Sequence, residues 1–263
     1  MAGASPRGGA ERRTAQSRYF LLTVAYDGGE YRGWQRQRSG STVQGELEAV
    51  LARVLQQPVA VRGAGRTDAG VHALGQLAAF AAVTRLDAGA IRRALNALLP
   101  AAIRVVAADE RAAAVDPRRS AWRKTYVYQL HVGELLPPER RRHFVHAGSA
   151  LDVAAMRAAA RLLHGEHDFT SFARAEATRR GAVRRLFAVR VARIPRGVRL
   201  FFTGSGFLYN MVRTLAAALV AVGQGRCRPE AVAAMLAAKD RASAPATLPP
   251  EGLWLWRVDL RQP

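Results

Sequence analysis

Cysteine is nearly missing from this sequence: Cys227 stands alone, which excludes an internal disulfide and any Cys-rich zinc site. It lies in the polar stretch GQGRCRPEA between two helical patterns and reads as a surface thiol rather than a nucleophile. Long apolar runs are missing too. The longest, Leu215 to Val222, falls well short of the ~18 residues that a membrane span needs. Acidic residues are scarce, 20 against 40 basic ones, which leaves a formal net charge of +20. Lysine is scarcer still, with only Lys124 and Lys239. A G- and C-rich coding sequence would favour Arg over Lys, but that exchange leaves charge unchanged and cannot produce a two-to-one basic excess. Such a balance points to a polyanionic partner, and nucleic acid is the common one for a chain without a membrane span.

About half of the sequence is apolar (49%), so a sizeable core is available. Residues 1–18, MAGASPRGGAERRTAQSR, have no large apolar side chain and no amphipathic period. They read as a disordered basic arm, not as a secretory signal. Order is expected from Tyr19, where YFLLTVAY has the β-branched and aromatic content of a buried strand. Ser41 with Gln44 three residues later has the form of a capping box. The helix that follows buries Leu47, Val50, Leu51, Val54 and Leu55 on one face. Further strands are expected at 75–82, 103–108, 124–132, 186–194, 197–203 and 253–260. Helices are expected at 88–99, 151–164, 207–222 and 229–238. The order β-α-β-α-β thus occurs twice, in halves 19–112 and 113–263 joined by a basic, Pro-containing stretch. The class is α+β, with mixed or antiparallel sheets around a central cleft.

The stretch GAGRTDAG, residues 63–70, looks at first like a nucleotide loop and is not one. A dinucleotide fingerprint needs Gly where Asp68 stands, and a P-loop needs Lys-Ser or Lys-Thr where Val71-His72 stands. What is left is a carboxylate among glycines, next to Arg66 and Thr67, where another backbone or a nucleotide can approach closely. A turn-capping Asp would look the same in isolation. In HGEHDF, His164, His167 and Asp168 lie close in sequence, but the Cys-x-x-Cys of a zinc deaminase is missing, so no metal is assigned there.

The stretch is not isolated. GRTDAGVHA resembles the segment around the catalytic aspartate of the tRNA pseudouridine synthase A family. YDGGEYRGWQRQ at 26–37, KTYVY at 124–128, DFTSF at 168–172, GFLYNMVRTL at 206–215 and the late segment from Ala237 to Leu260 follow in the same order. The resemblance runs from about Tyr19 to Leu260 and departs only mildly, at Thr125 and Leu260. It implies the pseudouridine synthase fold and isomerisation of uridine to pseudouridine at positions 38, 39 and 40 of the tRNA anticodon stem-loop. That reaction needs no cofactor and no metal. It also implies a cytoplasmic homodimer across which one tRNA lies, with the 207–222 helix and the WLWRV strand as candidate interfaces.

By the same resemblance Asp68 is the catalytic residue, acting as nucleophile or base during glycosidic cleavage. Arg213 matches the cation that keeps this carboxylate charged and aimed. Tyr126 matches the active-site tyrosine that stacks on the target base, and Arg66 the residue that fills the space left by a flipped base. The basic groups Arg118, Arg119, Arg123 and Lys124, then Arg140 to Arg142, then Arg179, Arg180, Arg184 and Arg185 suit phosphate contacts, which supply affinity without reading sequence. Trp34 is open between stacking on a base and core packing. A catalytically silent tRNA-binding protein would not need Asp68 with Arg66, Tyr126 and Arg213. A base methyltransferase would need a cofactor loop that is not evident.

Overall fold

The computed structural model describes residues 16–179 and 181–261. Nearly all of the basic arm, and Arg180, lie outside the described residues. Strand β1 (Arg18–Tyr26) opens one residue before the expected start, and Arg18 belongs to it rather than to the arm. Its guanidinium is held by Glu110 (Nε–Oε1 2.7 Å) and by the carbonyls of Thr84 and Leu86. After it come α1 (Val43–Leu55), β2 (Arg62–Gly63), β3 (His72–Ala82), α2 (Ala88–Leu98) and β4 (Ile103–Arg111). The second half runs through α3 (Pro117–Ser120), β5 (Ala121–His131), β6 (Val145–His146), α4 (Val153–Leu162), β7 (Gly165–Asp168) and α5 (Ala175–Thr178). It closes with β8 (Val183–Ile194), β9 (Gly197–Gly204), α6 (Met211–Gly223), α7 (Ala231–Ala238) and β10 (Leu253–Leu260).

One mixed sheet joins the two halves, in the order β4-β1-β3-β10-β5-β9-β8-β7. The last strand of the chain is the seam. β10 lies parallel to β3 (Trp254 opposite His72) and antiparallel to β5 (Leu255 opposite Tyr126). That parallel pair requires a crossover rather than a hairpin, and nearly the whole second half supplies it. The register sets Tyr126 on one side of the seam and the loop that precedes β3 on the other.

Several boundaries differ from the sequence reading. Thr42, not Ser41, caps α1: its backbone is extended (φ −134°) and its Oγ1 accepts from Gly45 N at 3.3 Å. Gln44 does not fold back to the cap. It donates to Glu48 Oε1 and the Val61 carbonyl, both at 3.0 Å. The 207–222 helix begins only at Met211, because Asn210 adopts a left-handed conformation (φ 66°) and ends a loop that carries Phe207 and Tyr209. HGEHDF leads into a strand that the sequence reading did not include. His167 and Asp168 lie on β7, paired with β8. Asp168 Oδ1 accepts from Thr170 N at 2.9 Å, and His167 Nε2 sits 2.9 Å from the His164 carbonyl.

Helix α6 is apolar on all sides because it is enclosed on all sides. Twelve of its 13 residues are buried, Arg213 being the exception. It packs on α4 and β5 within the chain and has no face left for a second copy. That removes half of the interface expected from sequence.

Candidate active site

Asp68 sits in the loop between β2 and β3, and neighbouring elements hold that loop at several of its polar groups. Ala64 N donates to the Leu77 carbonyl at 2.8 Å, and Gln76 Nε2 donates to the Gly65 carbonyl at 2.8 Å. Trp34 N donates to the Thr67 carbonyl at 3.1 Å, and Thr67 Oγ1 shares a hydrogen bond of 2.8 Å with the Tyr26 hydroxyl. Gly33 lies against the same carbonyl with φ +90°. The loop is thus clamped between β3 and the RGW segment, as a reactive side chain requires.

The carboxylate opens into a cleft of about 1380 Å³ between the halves. Arg66, Tyr126 and Arg213 line the same cleft, so all four residues singled out in the sequence come together. Arg213 stands in the first turn of α6, with Nη1 3.6 Å from Asp68 Oδ2. That is ion-pair range but too long for a direct hydrogen bond. Its guanidinium is aimed by the Leu248 carbonyl (Nε–O 2.7 Å) and by Asn210 Oδ1 (3.2 Å). The two side chains are 16% and 26% exposed, so water screens the pair only in part. Burial pushes the Asp68 carboxyl above the ordinary carboxylate range, and Arg213 opposes that rise. The loss of hydration and the fixed cation are balanced against each other.

Tyr126 projects from β5 beside this pair, with the Phe207 ring edge-on at 5.1 Å. Burial raises its phenol well above the ordinary tyrosine value, so it is a neutral hydroxyl at physiological pH. Arg66 is exposed on the rim, its Nε 3.2 Å from Gln35 Oε1. Gln35 in turn donates to Gln44 Oε1 at 2.7 Å, which ties the rim arginine back to α1. Trp34 is 2% exposed with the Tyr26 ring at 6.0 Å, so of its two readings the core one holds.

The basic groups separate by location. Arg118, Lys124 and Arg179 line the cleft. Arg123 instead pairs with Asp259 (2.7 Å) and lies over the Trp122 ring at 4.6 Å, while Arg142 pairs with Glu30 at 2.7 Å. Lys124 Nζ donates to the Ala64 carbonyl at 2.7 Å, and burial next to Arg118 pushes its ammonium down to about 8. Sequence reasoning missed the cleft roles of Phe207, Tyr209 and Asn210, having read them as a helix. Gly206 and Asn210 were the available signal, since both tolerate the conformations that end a helix.

Among the described residues one group has the donor set and spacing for a metal: Asp27, His72 and His143, whose ligand atoms lie within 4.8 Å of one another. None of them lines the cleft. Two of their acceptor atoms are engaged within the protein, Gly28 N donating to His72 Nδ1 at 3.1 Å and Gly29 N to Asp27 Oδ1 at 2.9 Å. Asp27 Oδ2 also faces His143 Nε2 at 3.2 Å. The trio pins the loop after β1 to the start of β3.

Known proteins bear on the site at this point. The family model for tRNA pseudouridine synthase matches residues 22–118 and 159–260. The tRNA pseudouridine synthase A of Geobacter sulfurreducens is 44% identical over 241 residues, covering 92% of this chain and 99% of that protein. Its namesake from an Exiguobacterium species is 42% identical over 242 residues, covering 92% and 98%. That of Thermosipho melanesiensis is 40% identical over 241 residues, covering 91% and 98%. Agreement of this extent spans both halves and the seam strand between them, and it establishes that the chain belongs to the tRNA pseudouridine synthase family.

Proposed function

We propose that this enzyme, whose family isomerises uridine to pseudouridine in tRNA, acts at positions 38, 39 and 40 of the anticodon stem-loop with Asp68 as its nucleophile. One observation carries the assignment of Asp68: its carboxylate is partly desolvated, faces the cleft, and is opposed by the single fixed cation of Arg213 at 3.6 Å. Such a carboxylate has shed part of the hydration that would weaken its attack, and the Arg213 cation favours its charged form against the burial that opposes it. The bond from the base N1 to the ribose breaks, the base turns while held in the cleft, and C5 bonds to the same ribose carbon. The C5 proton is then lost and N1 gains one. Tyr126 stacks on the base as it turns, a role that its neutral hydroxyl and the flanking Phe207 ring support. A stem uridine must leave the helix first, at a cost of a few kcal/mol. Arg66 on the rim has the planar cation to fill the gap.

Asp68→Asn tests this reading. The variant is expected to fold and to bind tRNA, and to lose tritium release from C5-labelled uridine. Undiminished release would remove Asp68 from the mechanism.

We place the enzyme in the cytoplasm with its tRNA, as a homodimer; no helix among the described residues is long and apolar enough to cross a membrane. Support for the dimer comes from the sheet. Leu74 on β3 and Trp256 on β10 are 41% and 38% exposed, and the Phe201 ring lies edge-on to Trp256 at 6.5 Å. Trp122, also exposed, leans on Phe187 at 5.8 Å. Aromatic side chains left open in this way suit an interface core.

A further inference from the structure

Lys124 is one of two lysines in a chain with 38 arginines, and it is the one that lines the cleft. It stands two residues before Tyr126 on β5, so both side chains leave the same face of the strand, roughly 7 Å apart along it. Among the described residues its one hydrogen bond is to the carbonyl of Ala64, four residues before Asp68. A Cβ on Gly65 would lie 3.1 Å from Nζ, so glycine at that position leaves room for the ammonium beside the loop. Arg118 on α3, which lines the same cleft, has the same sign and adds no compensation. An ammonium has three N–H donors, and this one uses a single donor on the protein. A half-buried cation with free donors and a like-charged neighbour is a site for an anion. In a cleft that receives RNA, that anion is a backbone phosphate.

We infer that Lys124 binds a phosphodiester of the RNA strand next to the uridine presented to Asp68, and so couples the seated backbone to the catalytic loop through the Ala64 carbonyl. The inference rests on the cleft being where tRNA is bound. It makes Lys124 a positioning residue: one donor braces the loop while the others hold the strand. Arginine would be less suited to this position. Its planar fork commits donors in fixed directions, whereas an ammonium can share its three between a carbonyl and a phosphate.

The test uses the intact enzyme and an anticodon stem-loop RNA, with affinity measured by fluorescence anisotropy across a series of KCl concentrations. Lys124→Gln keeps a donor for Ala64 but drops the charge, and Lys124→Arg keeps the charge. For one lost phosphate contact the slope of log K against log [salt] should become shallower by about 0.7 to 0.9 in Lys124→Gln. Lys124→Arg should keep the wild-type slope even where its turnover falls. A wild-type slope in Lys124→Gln overturns the inference and leaves Lys124 as a loop brace alone. A slope lost equally in both variants overturns it as well, since charge would then not be what matters. Pseudouridine formation by the wild-type enzyme on the same RNA is scored separately. Failure of the proposed activity therefore appears as absent product, and failure of the Lys124 inference as an unchanged slope.

Discussion

Replacing Gly33 by alanine is expected to slow the reaction without touching any residue that meets the substrate. Gly33 has φ +90°, a region that L side chains rarely adopt, and a Cβ there would lie 2.5 Å from the Thr67 carbonyl oxygen and 3.1 Å from the Asp68 carbonyl carbon. Ordinary contact begins near 3.4 Å, so the Thr67–Asp68 backbone must retreat by roughly 0.9 Å. The Thr67 carbonyl cannot move alone, because it accepts from Trp34 N and its residue is tied to Tyr26. The displacement therefore passes to the Asp68 carboxylate and changes its 3.6 Å relation to Arg213. A misplacement of about 1 Å at a reacting group costs on the order of 100-fold, or about 2.7 kcal/mol of barrier. Left-handed backbone strain at the new alanine adds roughly 1 to 2 kcal/mol of instability. Single-turnover kinetics on saturating tRNA would read the chemical step, with thermal melting and tRNA affinity measured alongside. The expected result is a loss near two decades in the chemical step with affinity within a few-fold of wild type. A folded Gly33→Ala enzyme with an unchanged single-turnover rate would refute the idea that this clamp positions Asp68.

Two further expectations follow from the same geometry. On the proposal that Asp68 attacks as a carboxylate, activity falls as pH drops through its pKa; burial raises that pKa and Arg213 lowers it. Arg213→Gln should therefore move the acid limb of kcat/KM to higher pH, with a loss of about 10-fold or more at neutral pH that narrows as pH rises. An acid limb that stays in place would show that the guanidinium does not act on this carboxylate. Trp256→Arg puts a charge among the exposed aromatics of the sheet; light scattering should find the wild type near twice 28.5 kDa and the variant shifted to 28.5 kDa. A wild-type monomer at micromolar concentration, or an undisturbed dimer of the variant, would move the interface elsewhere.

Much of the fold could be read from local pattern. The apolar strand at 19–26, the amphipathic period of α1 and the apolar closing strand each depend on residues close in sequence, and all three elements are where their patterns put them. Element ends were harder to read. Whether Ser41 or Thr42 caps α1, and whether GFLYN is helix or loop, depends on single backbone angles set by tertiary contacts. Burial was misjudged where composition was the only guide. An apolar helix can face a partner or the core, and α6 faces the core on every side.

By itself the sequence determined the polyanionic character of the partner, through a two-to-one excess of cations. It singled out Asp68 not by local spacing, which a turn-capping aspartate would share, but by the resemblance of GRTDAGVHA and its companion motifs to one family. Only the tertiary structure decided what surrounds that aspartate. Arg213 lies 145 positions further along the chain, and nothing local says that its guanidinium stops 3.6 Å from Asp68 Oδ2. That meeting depends on the last strand threading between the two halves and carrying the second half back across the sheet. The same threading sorts the arginines: Arg123 is turned to Asp259 on β10, while Lys124, the next residue, is turned to the cleft. The alternation of a strand makes that division, and only the paired register says which side is which.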